Sequence, residues 1–200
     1  MGRKSNAHKR REQIIWALYD CLVEKGHEKV SVKEIAAQAG LPSGVIHYYF
    51  SSKDDIVSSL AEAIVDKYST MLNERLIEAA SVEQRIEYVT DFIVDILIFN
   101  RPLNRVFYNL IQMTFERKAL GKVVKKMFKD YRERLAGIFK EAGVGRESKM
   151  LGAALVAVTE GFSAQLIVDP RAFKKIEVRQ LIAQAVRDRL ATVKGFRKSD

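Results

Sequence analysis

Apolar residues return at helical intervals along nearly the whole chain. Between Arg10 and Lys25, the residues Ile14, Ile15, Leu18, Cys21 and Leu22 recur at the spacing of one helix face. Gly26 follows them and suits the left-handed position that ends a helix. Ser31 with Glu34 three residues on has the spacing of a capping box and predicts a short helix through Ala39, closed by Gly40. Pro42 fits the first turn of a third helix running to about Tyr49. A fourth starts near Ser52, where Asp54 and Asp55 favour the positive end of the helix dipole. Along it Ile56, Leu60, Ile64, Tyr68, Leu72 and Leu76 keep steps of four.

The second half continues in the same way. Ile86, Val89, Ile93, Ile96 and Leu97 mark a helix that ends around Arg101-Pro102, and Leu103–Phe115 predicts an aromatic-rich one. Leu120, Val124, Met127, Tyr131 and Leu135 form a stripe that stops before Gly143-Val144-Gly145. Glu147–Val168 ends at Asp169-Pro170, and Glu177–Val193 closes the series before a polar tail. Period-two alternation is too short anywhere for a strand, and there is no internal repeat. The pattern predicts an all-α fold of about nine helices, with one domain over residues 8–68 and a second over 69–200.

Composition narrows the chemistry. The 34 Lys and Arg against 25 Asp and Glu give a net charge of +9, which favours a polyanionic partner without identifying it. One cysteine rules out an intrachain disulfide and a thiolate metal site, and His8, His27 and His47 lie too far apart for metal-ligand spacing. Met1–Arg11 has no apolar segment resembling a signal peptide, and no stretch approaches the roughly 18 uncharged residues of a membrane span. With no nucleophile–base pair and no phosphate-cradling glycine loop, no catalytic residue, cofactor or metal is expected. The expectation is a cytoplasmic binding protein rather than an enzyme.

The predicted second and third helices, joined by a three-residue turn, have the helix-turn-helix arrangement, in which the later helix enters the DNA major groove. Ile35, Ala36 and Ala39 give the earlier helix an apolar side with small residues, Gly40 makes the turn, and Leu41 plugs the angle. Ser43 and Gly44 present the N–H groups of the recognition helix to phosphate. Val45, His47 and Tyr48 project toward base edges and sugars, and Lys53 holds a backbone phosphate as a point charge. Lys33 and Tyr49 complete the candidate DNA-binding set, Tyr49 and Phe50 chiefly as core residues whose tyrosine hydroxyl reaches a phosphate. Arg3, Lys4, Lys9, Arg10 and Arg11 form a basic arm, read either as a solvated tail or as lying along phosphates.

Over Gly26–Leu60 the chain resembles the TetR family of transcriptional regulators. The segment IAAQAG, the pair Ser43-Gly44, then Tyr49-Phe50 and Lys53 follow the family pattern in order and spacing. Val30 stands where threonine is common, and His47 stands where tyrosine is usual. The resemblance implies a homodimer with an N-terminal DNA-binding domain and a C-terminal domain for effector binding and dimerisation. Such a dimer places two recognition helices in successive major grooves of a pseudo-palindromic double-stranded operator, about 34–36 Å apart.

The family's dimer is a four-helix bundle from the last two long helices of each subunit. Ala153, Ala157, Gly161 and Ala164, with Leu181 and Ala185 on the final helix, suit that interface, and Glu160 is read as pairing across it or sitting on its rim rather than contacting an effector. Phe92, Phe99, Phe107, Phe128, Tyr131 and Phe162, together with Phe115, are candidates to line an effector cavity, though aromatics at helical spacing also build cores. Lys118, Lys122, Lys125, Lys129 and Arg132 share one helix face, either solvated or meeting an anionic head group. The resulting reading is a repressor released from its operator by a small apolar or aromatic effector, with an anionic one also fitting. The alternative is a DNA binder of the same fold controlled by a protein partner or by no effector.

Overall fold

The computed structural model describes residues 2–196, with side chains for residues 6–192. These residues form nine α-helices: α1 Gly2–Lys25, α2 Val32–Gln38, α3 Ser43–Tyr49, α4 Lys53–Glu78, α5 Val82–Phe92, α6 Arg101–Thr114, α7 Lys118–Glu141, α8 Ser148–Val168 and α9 Lys175–Phe196. No strand occurs among the described residues, so the all-α reading holds. The chain divides into two compact units. The first holds residues up to Tyr68 together with Arg105–Lys126, and the second holds Ser69–Asn104 and the residues from Met127 onward.

In the first unit Ile14, Leu18, Leu22, Ile35, Ile46, Ile56 and Leu60 are fully buried, and so are Leu110, Met113 and Leu120 from the later stretch. The stripe read along α4 starts as expected, with Ile56, Leu60 and Ile64 in the core. In the second unit Ile93, Val94, Ile98, Leu135, Phe139, Leu155, Val156 and Val186 are buried. Gly152 of α8 has a reason to be glycine: a Cβ there would lie 2.9 Å from the backbone of Ala136 and Arg132 on α7. Those two helices cross at backbone distance, and only glycine allows it.

Two boundaries differ from expectation, both at proline. Pro42 stands one residue outside α3 as its N-cap, with extended backbone, rather than within the first turn. Pro102 lies in the first turn of α6 instead of ending the previous helix, a position where its missing N–H has no partner to lose. The periodicity also missed a π-helical stretch, Ile93–Ile98, which continues α5. It widens the turn so that the Phe99 N–H bonds Val94 O, five residues back, at 3.0 Å. Side chains from elsewhere answer the carbonyls left over. Ser163 Oγ donates to Leu97 O at 3.0 Å, and the buried Asn104 donates to Ile98 O at 2.7 Å.

Residues 145–168, which include α8, are long and apolar enough to cross a membrane by composition alone, with mean hydropathy 1.6. The expectation that no stretch approaches a membrane span therefore holds only for an uninterrupted uncharged run, which Glu160 breaks between Leu151 and Val168. One side of α8 packs inward through Gly152, Leu155, Val156, Thr159, Ser163 and Leu166, while Ala157, Val158, Gly161 and Val168 on another side are exposed.

Candidate nucleic-acid interface

The surface is built from α2, α3 and their turn, and local hydrogen bonds explain each step. The Glu34 N–H donates to Ser31 Oγ at 3.2 Å, and the Ser31 N–H donates to Glu34 Oε2 at 2.8 Å, which makes the expected capping box reciprocal. Ser31's backbone N–H and then Lys25, at 3.0 Å, hold the Glu34 carboxyl below its ordinary range. At the other end of α2, Gly40 takes φ +64°, its N–H meets Ala37 O, and the Leu41 N–H reaches Ala36 O. This is a Schellman closure, and it explains glycine at the turn.

Three anchors then fix α3. Ile46 and Phe50 are buried in the first unit's core. Arg11 of α1 donates to the Tyr49 carbonyl and lies 4.1 Å from the centre of the Phe50 ring. Gln13, two residues on, donates to Ala39 O at 2.6 Å and satisfies the end of α2. Sequence reasoning assigned Arg11 to the basic arm and passed over Gln13. The signal was present, because Arg11 precedes Ile15, Leu18 and Leu22 by four, seven and eleven residues and therefore shares their inward face. Lys9 and Arg10 are exposed, and Arg3 and Lys4 lie outside the residues with described side chains.

With α3 held from behind, its other face is open. Ser43, Gly44 and His47 are exposed, and Tyr48 is 82% exposed. The position of a Cβ on Gly44 faces open space, which leaves the first turn accessible to a close-lying backbone. Lys33 of α2 is also exposed. Val45 and Tyr49 are half-buried, and Tyr49 packs edge-to-face against Tyr48 with ring centres 4.9 Å apart.

Lys53 behaves differently from a free phosphate ligand. Its ammonium donates to Val30 O and, at 3.5 Å, to His27 O, so it closes the turn before α2. Burial, followed by the nearby Arg117 guanidinium, pushes its pKa down. Arg117 itself pairs with Asp54 at 2.7 Å, and Asn109 Oδ1 accepts from the His27 N–H at 2.8 Å. The stretch Arg105–Lys126 therefore braces the start of α4 within the first unit.

The second candidate sets lie elsewhere. Of the dimer residues, Ala157, Gly161 and Ala185 are exposed, Leu181 is 59% exposed, and Ala153 and Ala164 are half-buried. A Cβ on Gly161 would meet nothing, so the residues form an apolar face open in the single chain. Of the aromatic candidates, Phe92 is core, Phe162 stacks edge-to-face on Phe173, and Lys175 lies 5.7 Å from the Phe99 ring. Phe128 and Tyr131 are half-buried in the second unit, and Phe107 belongs to the first, packed edge-to-face with Tyr108. Phe115 corrects the reading: α6 ends at Thr114, and the ring stands in the following turn, 86% exposed. On the basic stripe Lys118, Lys122, Lys125 and Lys129 are exposed, and Lys129 has Glu133 at 3.8 Å.

A cavity of about 10 Å³ lies in the second unit, lined by Ile86, Val89, Thr90, Leu135, Ile138, Phe139, Leu155 and Val186. None of the aromatic candidates lines it; the purely aliphatic periodicity of Leu135 and Leu155 gave no sign of it. Among the described residues no cluster of His, Cys, Asp or Glu has the makings of a metal site.

Residues 14–60 match the family model of bacterial regulatory proteins, tetR family. The HTH-type transcriptional regulator PksA of Bacillus subtilis is 22% identical over 93% of this chain and 92% of its own length. Nucleoid occlusion factor SlmA of Pectobacterium carotovorum is 24% identical over 82% of this chain and 86% of its own. A solved transcriptional regulator from Pseudomonas aeruginosa PAO1 shares the fold with a TM-score of 0.81 at 20% identity, over 92% of this chain and 91% of that one.

Proposed function

We propose that this chain, whose residues 14–60 match the tetR family of bacterial regulatory proteins, is a DNA-binding transcription regulator of that family, a homodimeric, cytoplasmic repressor released from a pseudo-palindromic operator by a small apolar effector. The observation that carries the DNA side is the open face of α3, where Ser43, Gly44, His47 and Tyr48 are exposed while Ile46 and Phe50 lock the helix from behind. Such a helix presents side chains to base edges without losing its own position. Lys33 and Lys53 are assigned to phosphates, and Lys53 does so by exchanging its carbonyl partners for a phosphate oxygen. The exposed line Ala157, Gly161, Leu181 and Ala185 supports pairing through α8 and α9. α4 runs unbroken from Lys53 to Glu78 and contributes residues to both units, and the coupling of effector to DNA is assigned to it.

Selection from random duplexes tests the reading. It is expected to return an inverted repeat with half-sites about one helical turn apart. His47→Ala is expected to change the selected bases, whereas Lys53→Ala weakens all sequences alike and lowers the salt slope by about one unit. A single asymmetric half-site, or identical behaviour of both variants, would overturn the assignment. A second reading, control by a protein partner or by none, draws support from the small size of the cavity, about 10 Å³. A broad library in which no compound alters DNA affinity would favour it.

A further inference from the structure

The positive charge of this chain does not lie on the elements assigned to base reading. Residues 26–60 hold Lys29, Lys33 and Lys53 against Glu28, Glu34, Asp54 and Asp55, a net charge of −1. Of these lysines, Lys53 must first leave the carbonyls of Val30 and His27 to meet a phosphate. Residues 116–126 hold Arg117, Lys118, Lys122, Lys125 and Lys126 against Glu116 alone, a net charge of +4. This stretch, the start of α7 and the turn before it, falls in the first unit together with α3. Phosphate neutralisation supplies essentially all of the sequence-independent affinity for duplex DNA, so a helix-turn-helix without excess positive charge draws it from elsewhere. Lys9 and Arg10, exposed on α1, are one source, and the start of α7 is the other.

That start is fixed against the DNA-binding elements. Arg117 pairs with Asp54 at 2.7 Å, beside Lys53 in the first turn of α4. Lys118, Lys122 and Lys125 follow at steps of four and three and so share one face of α7. All three are exposed, and none pairs with a carboxylate among the described residues. Lys129, one turn further, belongs to the second unit and already has Glu133 at 3.8 Å. From Lys118 to Lys125 the helix rises about 10 Å, the length of about three phosphates along one DNA strand. Leu120 and Val124, on the other side of α7, are buried, so the helix keeps no apolar face to enter a lipid surface. Lysines strung along an open face also do not enclose a small anionic molecule.

Resting on the DNA-binding reading above, we propose that Lys118, Lys122 and Lys125 form a second phosphate-binding surface, which takes up the duplex flanking the half-site read by α3. The two helices divide the work: α3 meets base edges, and α7 meets backbone charge that carries no sequence information. The contact therefore strengthens binding to every duplex alike. It also lengthens the DNA that a dimer occupies beyond its two half-sites. The Arg117–Asp54 pair ties this surface to α4, so it moves with the unit that orients α3.

The test uses the full-length protein with three probes: the operator duplex returned by selection, the same duplex trimmed to its half-sites, and a random duplex of the untrimmed length. Affinity is read by fluorescence anisotropy between about 50 and 200 mM salt. The triple variant Lys118→Gln, Lys122→Gln, Lys125→Gln is expected to keep the wild-type melting temperature. On both untrimmed duplexes it is expected to lose about two to three units of salt slope and more than about tenfold in affinity, each single substitution removing about one unit. On the trimmed operator the wild type is expected to match the triple variant. A control, Lys140→Gln, Lys149→Gln, Arg171→Gln, removes the same charge from exposed positions of the second unit and is expected to keep the wild-type slope. An unchanged slope in the first variant, an equal fall in the control, or no effect of trimming overturns the proposal. Wild-type DNA binding in that variant, with lost binding to phosphatidylserine vesicles or to polyglutamate, overturns it in favour of a lipid or an acidic protein. A wild type that selects an inverted repeat but fails these tests leaves the DNA-binding reading standing. A wild type that binds none of the duplexes overturns both.

Discussion

The α2–α3 turn and the α7–α8 crossing are completed by different means. Around the α2–α3 turn every step carries a side-chain or backbone hydrogen bond: Ser31 with Glu34, Gln13 with Ala39 O, Arg11 with Tyr49 O, Lys53 with Val30 O. Where α7 crosses α8, contact comes from the missing side chain of Gly152, and the Tyr131 hydroxyl, buried along the same seam, has no partner among the described residues. The first arrangement defines a surface that keeps its shape without a ligand. The second leaves a polar group whose satisfaction must come from elsewhere, which is where a responsive element is expected.

The sharpest way to break this contrast is pH. Burial raises the Glu160 carboxyl from its ordinary 4.5 to about 7. An acid held more tightly in the folded than in the unfolded chain contributes stability fully below about 4.5, and loses it as pH rises through about 7. At about 1.4 kcal/mol per unit, the loss amounts to about 3 kcal/mol. Urea melts across this range are expected to show the decline in the wild type and a flat profile in Glu160→Gln. A wild type that is equally stable at both ends would remove the burden assigned to this carboxyl.

Glycine substitution sharpens the comparison next. Gly152→Ala drives a methyl into the α7 backbone and is expected to cost about 1–3 kcal/mol in denaturant melts. Gly161→Leu meets open space in the single chain and is expected to leave the protomer's helical signal intact. In sedimentation it is expected to shift the protein toward monomer, because the bulk falls on the proposed dimer face. A Gly161→Leu protein that remains dimeric would move that interface elsewhere.

Smaller effects belong to the DNA-binding unit and the basic stripe. Ser31→Ala removes one half of the capping box and is expected to cost about 1 kcal/mol, measured by thermal unfolding. Lys122→Gln and Lys125→Gln, on the solvated face of α7, are expected to change stability by less than about 0.5 kcal/mol. A larger loss in either would give the basic stripe a structural role that its exposure does not suggest.

The same contrast decides what can be read from the chain. The capping box and the glycine closure act between residues three to five positions apart, so Ser31, Glu34 and Gly40 announced α2 and its turn directly. His47 and Tyr48, read as facing outward on the short α3, are exposed, whereas the inward Ile46 was not picked out from the pattern. Gln13 and Arg11 bond across 26 and 38 residues, and only the helical phase of Arg11 hinted at its role. In the second unit shape replaces local rules. Nothing about Gly152 distinguishes it from Gly161 on the same helix, although one is locked against backbone and the other open. Phe115, read as a lining residue by its spacing, is exposed because α6 stops one residue earlier.

The π-helical turn at Ile93–Ile98 bears on how this chain should be lined up against its relatives. Such a turn holds one residue more than an α-helix of the same run, and rotates the residues after it by about 100°. Asn104 reaches Ile98 O, and Ser163 reaches Leu97 O, only in that longer phase. Loss of one residue in this stretch would close the turn without breaking the helix, and would leave both polar side chains without those carbonyls. Relatives one residue shorter here are therefore expected to carry an apolar residue at the position of Asn104, whereas a serine at 163 keeps Thr159 O, to which it also donates at 2.8 Å. A gap and a substitution a few positions away in an alignment would then be a single structural event.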